Sequence, residues 1–476
     1  MSVAVVLPGF EGTTLPAWVD ERLRGGMGGV CLFGMNITSR AQLADLTASI
    51  YAANPTAIIA VDEEGGDVTR LYQDRGSPFP GNAVLGRIDD AALTERVGAQ
   101  VGWELRAAGI NLALAPDADI NSNPNNPVIG VRSFGTDPQA VARHVAAWTR
   151  GIEATGVASC AKHFPGHGDT AADSHHQLPV IHTDAATLSE RELAPFRAAI
   201  TAGARTIMTS HIVVEAFEAD EPATFSRRIL TDMLRNELGF TGVIVTDALD
   251  MAGASARKGI PGAAVAALAA GAELLCIGTK NTDEQLDAIL VAIDAAVSDG
   301  TLPSESVEAA AAHVRALGAQ LAHEREEITA PPELTLGRVD GLTKAQVQRA
   351  WHVADNALAL LVRHAGGPVA WVALDAQPNM AVGSTPWGPF AAGITATRPN
   401  AVPSGALVVA VGKDLHRNPS AQEAVAQLRL GGDVLVVDMG WPEPTFAGLD
   451  IATFGASRLV GAALVDLIGR DTCGSE

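Results

Sequence analysis

The chain has 476 residues, 47% of them hydrophobic and 18% charged, with a formal net charge of −21. That is too long for one ordinary domain and apolar enough for a large core, and the acidic balance argues against nucleic acid or an anionic membrane as partner, since both need a basic face. Four cysteines (Cys31, Cys160, Cys276 and Cys473) stand far apart with no CxxC pair, which argues against a zinc ribbon or a disulfide framework.

The opening run MSVAVVLPGFEG lacks a charged region followed by a long apolar core and a cleavage site. No uninterrupted apolar stretch reaches about 20 residues, so a cytoplasmic protein without a membrane-spanning helix is expected. Short apolar runs then alternate with helical periodicity. VAVVLP, GGVCLFG, AIIAVD and NLALAPD are read as the first four strands, and SCAKHF, TIMTSH, GVIVTD and ELLCIG as the next four. Between them, segments such as AQLADLTASIYAA and PQAVARHVAAWTRGIEATG place apolar residues at three- and four-residue spacing, and a glycine commonly ends the helical pattern. Eight strands buried on both faces, each followed by helical material, predict a (β/α)8 TIM-type barrel over residues 1–325. A charged stretch with a Pro-Pro pair reads as a linker over 326–345. Residues 346–476 then read as a smaller C-terminal α/β domain. It has one helix in KAQVQRAWHVADNALALLV, strands in PVAWVALD, ALVVAVG and DVLVVDMG, and a closing helix in GASRLVGAALVDLIG. Its turns lack G-x-G-x-x-G after a strand, so no nucleotide cofactor is expected.

Polar residues recur where the barrel strands end. Asp62 closes AIIAVD, Asp117 follows NLALAP, Lys162 and His163 close SCAKHF, His211 closes TIMTSH and Asp247 closes GVIVTD. In a barrel of this type that rim is where an active site is assembled. Taken alone, Asp247 reads equally as a helix N-cap or as a nucleophile or electrostatic stabiliser. The loop KHFPGHGDTAADSHH, residues 162–176, holds four histidines, two aspartates and a lysine. Within it Asp173 and His175 are two apart, close enough for the carboxylate to fix one imidazole nitrogen and leave the other as a general acid/base. His163 and His167 have the spacing of a helical metal pair, but Pro165 and Gly166 between them break a helix. A sugar-binding and proton-transfer loop is therefore expected, and no metal centre.

The runs KHFPGHGDTAADSH, VDEEGGDVTRL, NPVIGVRSFG and VIVTDALDM resemble glycoside hydrolase family 3, within it the bacterial β-N-acetylglucosaminidases that carry the K-H-F-P-G-H-G…D-S-H loop. The resemblance implies a retaining exo-hydrolase releasing terminal N-acetylglucosamine from cell-wall or chitin-type fragments through a covalent glycosyl-enzyme. It assigns Asp247 as nucleophile, His175 as acid/base and Asp173 as its dyad partner. Asp62, Arg70, Arg132, Lys162 and His163 would hold the sugar, with neither metal nor cofactor. A histidine that has given up its proton is neutral, whereas the second carboxylate of most retaining glycosidases would be negative. Inorganic phosphate is accordingly expected as a competing acceptor. Asp67 stands where relatives often carry a basic residue, which is expected to make the pocket less attractive to anionic substrates. His167 and His176 are read as packing or solvent-facing, and the second domain as structural or pocket-edge. The alternatives are a β-glucosidase of the same family, a metal-dependent barrel hydrolase built on the histidines, and an inactive sugar-binding protein.

Overall fold

A computed structural model describes residues 2–171, 178–375, 381–443 and 448–469. Eight parallel strands form the barrel: Val6–Pro8, Gly29–Leu32, Ile58–Val61, Leu112–Ala113, Cys160–Phe164, Thr206–Thr209, Val243–Val245 and Leu275–Gly278. Each falls inside one of the eight apolar runs. Ladders join the second, third and fourth strands, the fifth, sixth and seventh, and the first and eighth. The remaining joints are lighter. Ala113 N donates to Ala158 O at 2.9 Å, Gly28 N donates to Val3 O at 3.4 Å, and a bridge links Val245 to Leu274.

The alternation of side chains along these strands separates two apolar layers, as a period of two requires. Cys31, Ile58, Ala60, Cys160, Met208, Val245 and Cys276 meet inside the barrel. Val30, Leu32, Ile59, Val61, Ile207 and Ile244 face outward, onto helices such as Arg40–Ala53, Ala91–Ala107 and Pro138–Glu153. Cys31, Cys160 and Cys276 are free and buried, and serve as small hydrophobes. Asp and Ser side chains cap several outer helices: Ser39, Asp90 and Asp137 each accept a backbone amide at the helix start.

The last barrel helix is Ser304–Glu327 and the next helix is Lys344–Arg349. Residues 328–343 between them carry neither helix nor strand, so the expected linker runs into regular structure by two residues at each end. The second domain is a five-stranded sheet in the order His352–Val353, Ile451–Ala452, Val434–Asp438, Leu407–Gly412, Val369–Ala373. All its pairings are parallel except the first. One expectation fails here. The single helix read over 344–362 is two, Lys344–Arg349 and Asp355–Arg363, with the edge strand His352–Val353 between them. Trp351 is buried in the second core while His352 pairs with Ala452, an interaction that helical periodicity cannot register.

Candidate active site

The rim at the C-terminal ends of the strands encloses a cavity of about 310 Å³. Asp62, Arg70, Arg132, Lys162, His163 and Asp247 all line it. The turn after the third strand explains how. Its three successive acids point three ways. Asp62 faces the cavity and receives Lys162 Nζ at 2.7 Å, with Arg70 Nη2 at 3.7 Å. Glu63, fully buried, accepts Thr69 Oγ1 and the Arg70 and Leu71 amides at 2.8, 2.9 and 2.9 Å. It therefore shapes the turn that presents Arg70. Glu64 turns to Arg132, which it binds with both oxygens at 3.0 and 2.8 Å, and it receives Lys162 Nζ at 2.9 Å.

Charge in this group is closely matched. Burial pulls the Asp62 and Glu64 carboxyls up, but the neighbouring cations outweigh it and hold both below their usual range. Burial likewise lowers Lys162, and Asp62 and Glu64 more than reverse it. The lysine is a firm cation at the cavity wall. Behind it, Asp119 Oδ2 meets His163 Nδ1 at 2.7 Å, and Asp119 Oδ1 accepts the His167 amide at 2.6 Å. His163 Nε2 lies 3.5 Å from Arg132 Nη2. Asp117, Asp119 and His163 are close enough to share one ion. His163 Nδ1 is engaged with Asp119 Oδ2, and Arg132 Nη2 lies 3.5 Å from Asp117 Oδ2, a buried oxygen that accepts no hydrogen bond among the described residues. Burial and then Asp119 push the Asp117 carboxyl well up.

Asp247 is half-buried at the end of the seventh strand, and its Oδ1 accepts the Ala248 amide at 2.8 Å. His211 does not reach the cavity: it is buried, with Nε2 on the Ala248 carbonyl at 3.0 Å and Nδ1 on Thr224 Oγ1 at 2.9 Å. It steadies the residue next to Asp247. His167, expected to be packing or solvent-facing, is buried and lines the cavity, with Nδ1 3.0 Å from Thr170 Oγ1. Burial lowers its pKa to about 4, so it is neutral at ordinary pH. Glycines allow this loop to lie close. Gly166 has φ +127 against Glu192, and a Cβ at Gly168 would stand 1.6 Å from Ile120 O. Asp173 and His175, with His176, fall in 172–177, outside the described residues.

Asp67 was expected near the sugar pocket. Its side chain instead turns to the second domain, accepting Lys413 Nζ at 2.9 Å and the Ala456 amide at 2.8 Å. That domain also reaches the pocket edge, where Arg70 Nη2 donates to Ala381 O at 2.7 Å and Ala381 lines the cavity. Glu64, Asp119 and His167 are the residues that reading the sequence missed. The available signal was their position beside strand-end residues already chosen, but sequence does not say which of several adjacent polar side chains faces inward.

The family described as "Glycosyl hydrolase family 3 N terminal domain" matches residues 16–317. β-Hexosaminidase A of Pseudoalteromonas piscicida is 41% identical over 266 residues, 51% of this chain; the chain spans 44% of that protein's length. A β-hexosaminidase of Stenotrophomonas maltophilia is 37% identical over 294 residues, covering 60% of this chain and 87% of the relative. The solved structure of a glycoside hydrolase family 3 β-N-acetylglucosaminidase from Paenibacillus sp. is 30% identical with a TM-score of 0.83, and the match covers 98% of this chain and 96% of that one. Both domains are therefore shared with that structure.

Proposed function

The chain belongs to glycosyl hydrolase family 3 and is a glycoside hydrolase of the β-N-acetylhexosaminidase type, and from that premise we propose a retaining exo-β-N-acetylglucosaminidase working through a glycosyl ester on Asp247. The observation that carries this is one cavity of about 310 Å³ that Asp247 shares with Asp62, Arg70, Arg132, Lys162 and His163. A pocket of that size takes one terminal sugar. In this reading Asp62, held ionised by Lys162 and Arg70, accepts sugar hydroxyls, while Arg132 and Lys162 donate to hydroxyl and acetamido oxygens. Asp247 attacks the anomeric carbon as the bond to the departing oxygen breaks, and His175, oriented by Asp173, gives that oxygen its proton. In the second step His175 takes a proton from the acceptor water, which attacks the anomeric carbon and releases Asp247 with retention. His163 and His167 form the wall on the loop side. His167 remains neutral and so does not compete for the proton. A cytoplasmic setting, in the turnover of cell-wall or chitin fragments, belongs to the same proposal, and fractionation of cells with a labelled chain tests it.

The test compares aryl β-N-acetylglucosaminide with aryl β-glucoside for the parent, Asp247→Ala and His175→Ala. Preference for the glucoside would favour the β-glucosidase alternative. Asp247→Ala should lose about 10⁴-fold in kcat. His175→Ala should lose about 10²–10⁴-fold on a poor leaving group and far less on an activated one. Parent rate in Asp247→Ala, or equal losses on both leaving groups in His175→Ala, contradicts the assignments. Repeating the assay in phosphate, with glycosyl phosphate as the product sought, tests the competing acceptor; its absence at an unchanged sugar-release rate removes that part.

A further inference from the structure

We propose that the cavity between the two domains receives the aglycone and that its charge balance selects a neutral sugar there over one bearing a carboxylate. This rests on the exo-glycosidase reading above. The cavity, about 420 Å³, shares lining residues with the sugar pocket. Val128 and Arg132 line both. The chain also passes from Ala381, at the sugar pocket, straight into Val382 and Gly383, at the interdomain cavity. A leaving group bonded to a sugar in the first space thus has the second space beside it.

Three cations and two carboxylates line this second cavity among the described residues, and each of the three cations is engaged by a carboxylate. Lys413 Nζ is 2.9 Å from Asp67, which the Ala456 amide also holds in place. Arg417 Nη2 is 3.1 Å from Asp414, and the Arg417 guanidinium also donates to Asn126 O at 2.6 Å. Arg132 is engaged by both oxygens of Glu64. Each cation therefore has a carboxylate already, and a carboxylate on the aglycone would approach Asp67 and Asp414 with no uncommitted positive charge to meet it. A neutral sugar faces no such penalty. Its hydroxyls gain charge-assisted hydrogen bonds from the same pairs. Its apolar face suits Trp387, which lines the cavity with Lys413 Nζ 5.2 Å from the ring centre.

The experiment measures kcat/KM on three substrates: an aryl β-N-acetylglucosaminide, N,N′-diacetylchitobiose, and the disaccharide of N-acetylglucosamine on N-acetylmuramic acid. The parent should prefer the neutral disaccharide. Asp67→Asn leaves Lys413 without its carboxylate and should raise the acidic-to-neutral ratio about fivefold; Lys413→Met leaves Asp67 unneutralised and should lower it by a similar factor. Raising salt should shrink both changes. Opposite signs in two variants at one contact are not produced by general loss of folding. A parent that prefers the acidic disaccharide, or two variants that shift the ratio in the same direction or leave it unmoved, overturns the proposal. A parent that fails on the aryl glycoside overturns the exo-glycosidase reading instead.

Discussion

Glu64 does not line the sugar pocket, yet two of the pocket's three cations depend on it. Its carboxylate takes Arg132 with both oxygens and Lys162 at 2.9 Å, all three side chains being at most 5% exposed. Removing one partner of a buried ion pair leaves the other uncompensated. Glu64→Gln should therefore cost about 3–5 kcal/mol in urea unfolding and raise KM as Arg132 and Lys162 lose their place. Unchanged stability would show that the network is solvated. His167 supplies a pH signature. Its native pKa of about 4 lies below the ordinary 6.5, so between those values the unfolded chain takes up a proton that the native chain refuses. Its contribution is complete above pH 6.5 and lost as pH falls towards 4. In His167→Gln, stability should fall less steeply over that window than in the parent; an identical slope would contradict the burial argument. What could be read in advance at this scale was the strand-end set, because a polar residue ending an apolar run has few other uses. The facing of Asp62, Glu63 and Glu64 could not be read, since three consecutive acids in a turn are sorted only by the amides and cations that come from residues 69–71, 132 and 162.

Among the elements, the loops after the fourth and fifth strands act as one unit because Asn126 ties them. Its Nδ2 donates to His167 O and Gly168 O at 2.9 and 3.0 Å, while Oδ1 accepts the Val128 and Ile129 amides, both at 2.9 Å. Asn126→Ala strands these buried groups and should cost about 1–3 kcal/mol by denaturant melt, with KM rising because Arg132 and His167 sit on the two loops it joins. A melt equal to the parent's would mean water replaces the side chain. All eight barrel strands were legible, since each is an apolar run bounded by turn residues, with longer helical segments between. The second domain was less so. Its edge strand His352–Val353 and partner Ile451–Ala452 are two residues each, and they are defined by a pairing across about a hundred positions rather than by any local pattern. We place the domain division in 328–343, where a protease site inserted between the helices should cut to leave two fragments.

At the level of the whole molecule, the second domain supplies two things the barrel lacks: the Ala381 carbonyl that steadies Arg70, and Lys413 to match Asp67. Neither was visible beforehand, because contacts between residues more than 300 positions apart leave no periodic trace in sequence. The net charge of −21 argues against polyanionic partners and is otherwise a feature of solubility. No helix among the described residues is long and apolar enough to cross a membrane. Barrel strands, loops and second domain all contribute to the cavity that Asp247 lines, and the chemistry proposed for that carboxylate can be caught directly. Incubation with an activated 5-fluoro-β-N-acetylglucosaminide, followed by intact mass and peptide mapping, should give a single glycosyl adduct on the peptide containing Asp247, with turnover products of retained configuration. An adduct on another residue, or inversion at the anomeric carbon with no adduct at all, would contradict the assignment of Asp247 as nucleophile.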